Sequence, residues 1–157
     1  MEKKGKKPGS INKETENNPG YGVSIDQSQS VQPGLVPQFS GKLTSERIWS
    51  AGVMVDNFSY LNYVYLMIRI RQEETLSGKS VIEKWAAKFG FKINIYHADN
   101  GKFSEHPFRL VIEDTNQKII FCGVGSNHKN SIIKRKIQTL TLGAIALLLH
   151  AKIYWTD

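Results

Sequence analysis

Two aspartates, Asp26 and Asp99, have the sequence surroundings expected of a catalytic pair. Each follows an apolar stretch typical of a β-strand, and the Asn100-Gly101 turn comes directly after Asp99. If the two strands are neighbours, the carboxylates converge at their ends and repel each other unless a cation lies between them. Carboxylates around Mg²⁺ are typical of phosphodiester chemistry. The alternative is that Asp99 only hydrogen-bonds its own turn.

A second candidate site is a cluster of basic side chains that could contact phosphate. It lies at the predicted start of the last helix and consists of Lys129, Lys134, Arg135 and Lys136. Cations at a helix N-terminus oppose the helix dipole, at a cost of a few tenths of a kcal/mol each when exposed. A phosphate backbone nearby would turn that cost into attraction. The alternative is an exposed basic face that binds no ligand.

The composition narrows the class of partner. The 157 residues carry a formal net charge of +7, which favours a polyanion such as nucleic acid. Cys122 is the one cysteine, so an internal disulfide is excluded and an intracellular, reducing compartment is the default. No apolar run approaches the roughly 20 residues that span a bilayer, so we expect no membrane partner. The apolar stretch 141–149 suits a helix in the core.

The chain divides into a tail and one domain. Residues 1–20 are predicted to be a disordered basic tail, because they hold a lysine cluster and almost no large apolar residues. Such a cluster is a nuclear localisation signal, an arm that contacts nucleic acid, or only a solvated tail. Residues 21–157 contain the periodic apolar patterns and are predicted to form the domain.

Apolar periodicity predicts the elements that position the two aspartates. Strands are predicted over 21–27, 51–56 and 63–70, ahead of Asp99, and over 118–122. Helical spacing predicts helices over 73–89, 103–113 and 130–152. Three consecutive strands favour an antiparallel meander, and the later helices imply crossovers between parallel strands. The predicted fold class is α/β, with a mixed five-stranded sheet flanked by helices.

Four blocks, taken in order, resemble the integrase catalytic core of copia-like long-terminal-repeat retrotransposons. They are VSID at 23–26, VDNFS at 55–59, YHADNGKF at 96–103 and NSIIKR at 130–135. The resemblance implies a ribonuclease-H-like fold and DNA integration by two aspartates and a glutamate with Mg²⁺ or Mn²⁺. It places the catalytic positions at Asp26, Asp99 and Lys134, with the two aspartates as metal ligands. Contacts to DNA, or to RNA, would come from Asn100, Lys129, Asn130, Arg135 and Lys136.

The sequence also departs from this family pattern, in the catalytic site and in the extent of the domain. Lys134 stands at the catalytic glutamate, Ser131 replaces a glycine, and the upstream zinc-binding module is missing. The chain also stops near residue 155, so we expect a degenerate core that is truncated at its C-terminus. A lysine offers three donors and no lone pair. We therefore expect the Lys134 ammonium to stand in for a metal cation beside the aspartates and to abolish strand transfer.

Three interpretations of function stay open. The first is an integrase-type polynucleotidyl transferase core that Lys134 has inactivated. The second is a non-catalytic module that binds nucleic acid through Lys129, Arg135 and Lys136. The third is a decayed retroelement product without function. Action on DNA implies a nuclear location, and the resemblance is compatible with a homodimer.

Overall fold

The computed structural model describes residues 18–35, 45–122 and 131–154. Within them the elements follow the predicted order. The strands are β1 (Gly22–Leu35), β2 (Arg47–Asp56), β3 (Asn62–Met67), β4 (Ile95–Ala98) and β5 (Lys118–Phe121). The helices are α1 (Gln72–Lys88), α2 (His106–Asp114) and α3 (Ser131–Tyr154), with a 3₁₀ turn at Lys102–Ser104. Nearly all of the tail predicted over residues 1–20 lies outside the described residues.

The described strands form one mixed sheet in the order β3-β2-β1-β4-β5. β2 is antiparallel to β1 and to β3, whereas β4 is parallel to β1 and to β5. Parallel neighbours need a long crossover connection, which α1 and α2 supply. The predicted α/β class, with a mixed five-stranded sheet and an antiparallel first half, is confirmed.

Alternation along the strands divides the core between the two faces of the sheet. One face packs against α1 and α2, and its buried apolar residues are Val23, Ile25, Met54, Ile82, Ala86, Ile93, Tyr96, Ala98, Phe103, Phe108 and Ile112. On the other face, Ile133 of α3 is fully buried against Val53 and Val55. Side chains of β1 that do not point into the first cluster therefore face α3.

The first strand extends beyond its predicted end near residue 27. β1 continues to Leu35 and β2 already begins at Arg47, because the two strands pair beyond the rest of the sheet. Their register shifts between Gln29 and Gly34. The extension holds serines, glutamines and an almost fully exposed Val31, so it lacks the apolar alternation from which a strand is predicted.

The prediction of a core helix over residues 141–149 is wrong. Residues 141–150 are exposed, and Leu147 has a relative exposure of 73%. The 24 residues of α3 make about 36 Å of helix, but its apolar contacts with β2 end near Leu140. The helix thus outruns the strands that support it. Within the described ranges, no helix combines the length and hydropathy needed to cross a membrane.

A polar cluster centred on Glu83 ties α1 to the parallel half of the sheet. Glu83 Oε1 accepts hydrogen bonds from Lys79 Nζ at 2.8 Å, Tyr96 Oη at 2.7 Å and Gln117 Nε2 at 2.6 Å. The Lys79 side chain is only 2% exposed and its Nζ lies 5.6 Å from the centre of the Tyr96 ring. Burial raises the pKa of Glu83, but the three donors outweigh it and hold that pKa below its ordinary value.

Replacing Glu83 by alanine should lower the free energy of unfolding by about 2–4 kcal/mol, because the buried Lys79 ammonium loses its counter-charge. The folded-state pKa of Glu83 lies below its unfolded value of 4.5. The stability that Glu83 contributes is therefore present above about pH 4.5 and is lost as the pH falls through the lowered pKa. Urea unfolding between about pH 3 and pH 7 should show the deficit of Glu83→Ala shrinking on acidification.

Lys84→Ala is the matched control for this variant, since Lys84 is an exposed residue on the same helix. Its free energy of unfolding should stay within about 0.5 kcal/mol of the unmodified chain. Equal stability of Glu83→Ala and the unmodified chain near pH 7 would contradict the role of the cluster.

Candidate functional site

Asp26 and Asp99 lie side by side where the parallel pairing of β1 with β4 ends. Ile25 pairs with Ala98 in the β1–β4 register, and each aspartate is the next residue along its strand. Neighbouring strands are about 4.8 Å apart. Because Ile25 and Ala98 point into the core under α1 and α2, the aspartates point to the opposite face, towards α3.

Each carboxylate also accepts a hydrogen bond from the residue that follows it. The distances are 2.8 Å from Gln27 N to Asp26 Oδ1 and 2.7 Å from Asn100 N to Asp99 Oδ1. The local hydrogen bond considered for Asp99 is therefore present. It involves only Oδ1, so it does not conflict with a role for the carboxylate in a shared site.

The first turns of α3 bring Lys134 to this pair. Ile133 packs on Val53, and Val53 is the β2 partner of Asp26 in the sheet. Lys134 is the next residue of α3, and its positive charge acts on the Asp26 carboxylate. No ion pair within 4 Å joins Lys134 to Asp26 among the described residues, so Lys134 acts from beyond salt-bridge distance.

The pKa of Asp26 reflects how these charges meet. Burial is the largest influence and raises the pKa, the hydrogen bond from Gln27 and the charge of Lys134 lower it, and the charge of Asp99 raises it. The net shift is upward. Lys134 therefore offsets only part of the burial and of the repulsion between the carboxylates, and the three predicted catalytic positions are electrostatically connected.

The donor set does not fit a magnesium site built from three carboxylates. Mg²⁺ requires oxygen ligands in near-octahedral geometry, and a lysine amine that carries a proton has no lone pair. Within residues 18–35, 45–122 and 131–154, no group of three or more histidine, cysteine, aspartate or glutamate residues could hold a metal ion. The site offers two carboxylates and one amine.

The residues predicted to contact nucleic acid are separated in the structure. Asn100 is exposed in the turn after β4, directly beside Asp99. Arg135 and Lys136 line a cleft against Tyr60, in the turn between β2 and β3. Lys129 and Asn130 lie outside the described residues. The described cations thus form a second site on α3, next to the aspartate pair.

Sequence reasoning missed Tyr60, whose φ of 59° lies in the left-handed region that tyrosine rarely adopts. Tyr60 falls in the gap between the strands predicted over 51–56 and 63–70, and its sequence context predicts no role for it. The turn is fixed by the Asp56 carboxylate. Its Oδ1 accepts a hydrogen bond from Gly20 N at 2.8 Å, and its Oδ2 accepts one from Ser59 N at 2.7 Å. These bonds give Asp56 a structural role.

Solved structures similar to this chain include integrase catalytic cores. The HTLV-2 integrase catalytic core domain in complex with magnesium, in a dimeric form, aligns with a TM-score of 0.61 and 16% identity over 84% of this chain and 74% of that one. Its trimeric form aligns with a TM-score of 0.51 and 20% identity over 80% and 74%. A chain of the simian T-cell lymphotropic virus intasome in complex with PP2A regulatory subunit B56 gamma aligns with a TM-score of 0.61 and 14% identity over 80% and 40%.

By sequence, no protein-family model and no curated protein matches this chain. Identities between 14% and 20% relate the structures through their fold. The resemblance drawn from the four sequence blocks and the similarity to these solved structures indicate the same fold. The chain therefore has the ribonuclease-H-like fold of an integrase-type catalytic core.

Proposed function

We propose that this chain is a nucleic-acid-binding protein built on an integrase-type core and inactive in DNA integration. Its ancestor was a Mg²⁺-dependent polynucleotidyl transferase of the copia-like retrotransposon group. The observation that carries the proposal is the position of Lys134 in the first turn of α3, next to Ile133 packed on the strand partner of Asp26, where a third carboxylate would complete the site with Asp99. Its place of action is intracellular, and nuclear where the ligand is DNA.

Lys134 opposes catalysis through charge and through ligand chemistry. In sites of this class, bound Mg²⁺ or Mn²⁺ supplies the activation of the attacking hydroxyl and the stabilisation of the leaving oxygen. Lysine in place of glutamate removes one oxygen ligand and makes the local charge more positive by two units. At an assumed separation of about 6 Å and an effective dielectric constant of about 20, an ammonium and a divalent cation repel by about 5.5 kcal/mol.

Lys134→Glu should restore a divalent-cation site, because it returns a carboxylate to the side of Asp26 and Asp99. Without metal, this variant should be less stable than the unmodified chain, since three carboxylates then repel one another. With about 10 mM Mg²⁺ or Mn²⁺ its melting temperature should rise by several degrees, as expected when a ligand binds only the folded state. Calorimetric titration of the same samples measures the dissociation constant.

Arg135→Glu is the matched control, because it makes the same change of charge at the adjacent residue, which lines the Tyr60 cleft. Its melting temperature should not respond to Mg²⁺. The proposed role of Lys134 would be wrong if the unmodified chain bound Mg²⁺ at millimolar or tighter affinity through both aspartates.

Nucleic-acid binding is supported by the net charge of +7 and by Arg135 and Lys136 of α3, which line the Tyr60 cleft. Lysine and arginine contacts to phosphate release condensed counterions, so affinity falls steeply as the salt concentration rises. Duplex DNA is the ligand expected from the fold, and RNA would engage the same charges.

Double replacement of Arg135 and Lys136 by glutamine should weaken binding of mixed-sequence duplex DNA. Loss of two phosphate contacts should reduce the slope of log affinity against log salt by about 2. Fluorescence anisotropy over a salt series measures both quantities. Lys84→Gln/Lys88→Gln on α1 removes equal charge on the opposite face of the sheet and should change the slope little. No binding by the unmodified chain at low salt would favour a decayed product without function.

A homodimer is supported by the exposed half of α3. Six large apolar residues on this half have relative exposures between 48% and 73%: Leu142, Ile145, Leu147, Leu148, Leu149 and Ile153. Contiguous apolar surface of more than a few hundred Å² marks interaction sites. Pairing two such helices would cover on the order of 600 Å² per partner, at the lower end of specific interfaces.

A second copy is the occupant that this surface fits. From Gln138 to Ala151 the helix carries no lysine, arginine, aspartate or glutamate. Two chains of net charge +7 can therefore approach through this segment without placing like charges in contact.

Leu147→Lys/Leu148→Lys should shift the chain from dimer to monomer, with the dissociation constant raised at least about 100-fold by buried like charges. Sedimentation velocity over a concentration series measures this constant. Val31→Lys, at a residue that is 96% exposed on β1, is the control and should leave the dimer intact. A monomeric unmodified chain at about 100 µM would exclude the homodimer.

A further inference from the structure

A cleft of about 260 Å³ lies between α3 and the turn that joins β2 to β3. It is lined by Tyr60, Ile132, Arg135, Lys136 and Thr139. Among these described lining residues two are cationic, one is aromatic and none is acidic. The cleft is distinct from the aspartate pair, because Arg135 and Lys136 belong to it whereas Lys134 acts on Asp26.

Tyr60 adopts a backbone conformation that its side chain does not favour. The described non-glycine residues with positive φ are Tyr60, at 59°, and Asn116, at 54°. Asparagine tolerates this region, but a bulky residue there is strained. Two backbone hydrogen bonds hold Tyr60 in place. The Tyr60 N–H donates to Asp56 O at 2.9 Å, and the Asp56 N–H donates to Leu61 O at 2.9 Å.

The strain is accompanied by exposure of the aromatic ring. Tyr60 has a relative exposure of 59%, so burial of the ring in the core does not account for a tyrosine here. Strained residues of this kind cluster at ligand-binding sites. The neighbouring Arg135 and Lys136 indicate that the ligand is anionic.

An exposed aromatic ring beside two cations is the combination that binds unpaired nucleotides. A free base stacks on the ring, while the flanking phosphates contact arginine or lysine. A base within a duplex is already stacked on its neighbours and paired, so its face is not available to Tyr60. Stacking on Tyr60 is therefore open to an unpaired base only, whereas the two cations can contact the phosphates of a single strand or a duplex.

We propose that this cleft binds an unpaired nucleotide of a nucleic acid, with the base stacked on Tyr60 and its phosphates held by Arg135 and Lys136. The inference rests on the nucleic-acid binding proposed above and adds the form of the ligand. Ile132 supplies apolar lining, and the Thr139 hydroxyl already donates a hydrogen bond to Arg135 O at 3.0 Å.

Tyr60→Asn tests the proposal without adding strain, because asparagine accepts a positive φ. The probes are a fluorescent 12-nucleotide oligothymidine and a blunt duplex of mixed sequence, measured by anisotropy at the same low salt concentration. Tyr60→Asn should weaken binding of the single strand about 5- to 100-fold, the loss expected for one base stack. Its binding of the duplex should stay within about twofold of the unmodified chain.

Three further variants separate stacking from folding and from general loss of surface. Tyr60→Phe keeps the ring and should bind the single strand within about twofold of the unmodified chain. Tyr60→Gly also accepts positive φ and should reproduce the loss if Tyr60→Asn folds poorly. Phe89→Asn removes an aromatic residue of equal 59% exposure at the end of α1 and should leave binding unchanged.

The outcomes distinguish this inference from the function on which it rests. If Tyr60→Asn folds and binds the single strand like the unmodified chain, the cleft does not bind the base. Equal weakening for the single strand and the duplex would likewise overturn a preference for unpaired nucleotides. If the unmodified chain binds neither probe at low salt, the proposed nucleic-acid binding itself fails.

Discussion

The parallel pairing of β1 with β4 is the constraint on which the site depends. It places Asp26 next to Asp99, although 72 residues separate them in the sequence, because Ile25 and Ala98 are register partners. A shift of one residue would turn one of these buried side chains towards α3 and its aspartate into the core. Both Ile25 and Ala98 are completely buried, so the core fixes the register and the register fixes the carboxylates.

The same constraint explains why a polar cluster is buried on the far side of the sheet. Tyr96 lies on β4, two residues before Ala98, and donates to Glu83 on α1. Gln117, just before β5, donates to the same oxygen. Glu83 therefore links helix α1 to strand β4 and to the start of strand β5. A partly buried carboxylate is stable here because three donors compensate its loss of hydration.

Sequence patterns predicted the parts of the molecule where one face of an element is buried. Val53 and Val55 alternate, and Ile82 and Ala86 repeat at helical spacing, so β2 and α1 followed from periodicity alone. The convergence of Asp26 and Asp99 required the family resemblance, because spacing along a chain does not determine which strands are neighbours. The exposed end of α3 could not be foreseen, since an apolar helix has the same pattern whether or not a partner covers it. Tyr60 had no sequence signal, because its positive φ results from hydrogen bonds made by Asp56.

Under the proposed function, the charges around the aspartate pair would account for loss of metal binding together with retention of nucleic-acid binding. Two carboxylates contribute −2, Lys134 contributes +1, and the N-terminus of α3 adds roughly +0.5. The sum is about −0.5, compared with about −2.5 for a glutamate at the position of Lys134. The weaker negative potential attracts a divalent cation less and repels a phosphodiester less. Arg135 and Lys136 line the Tyr60 cleft, which leaves them to contact phosphate. A single exchange of glutamate for lysine would thus turn a metal-dependent site into part of a basic surface while the fold stays the same.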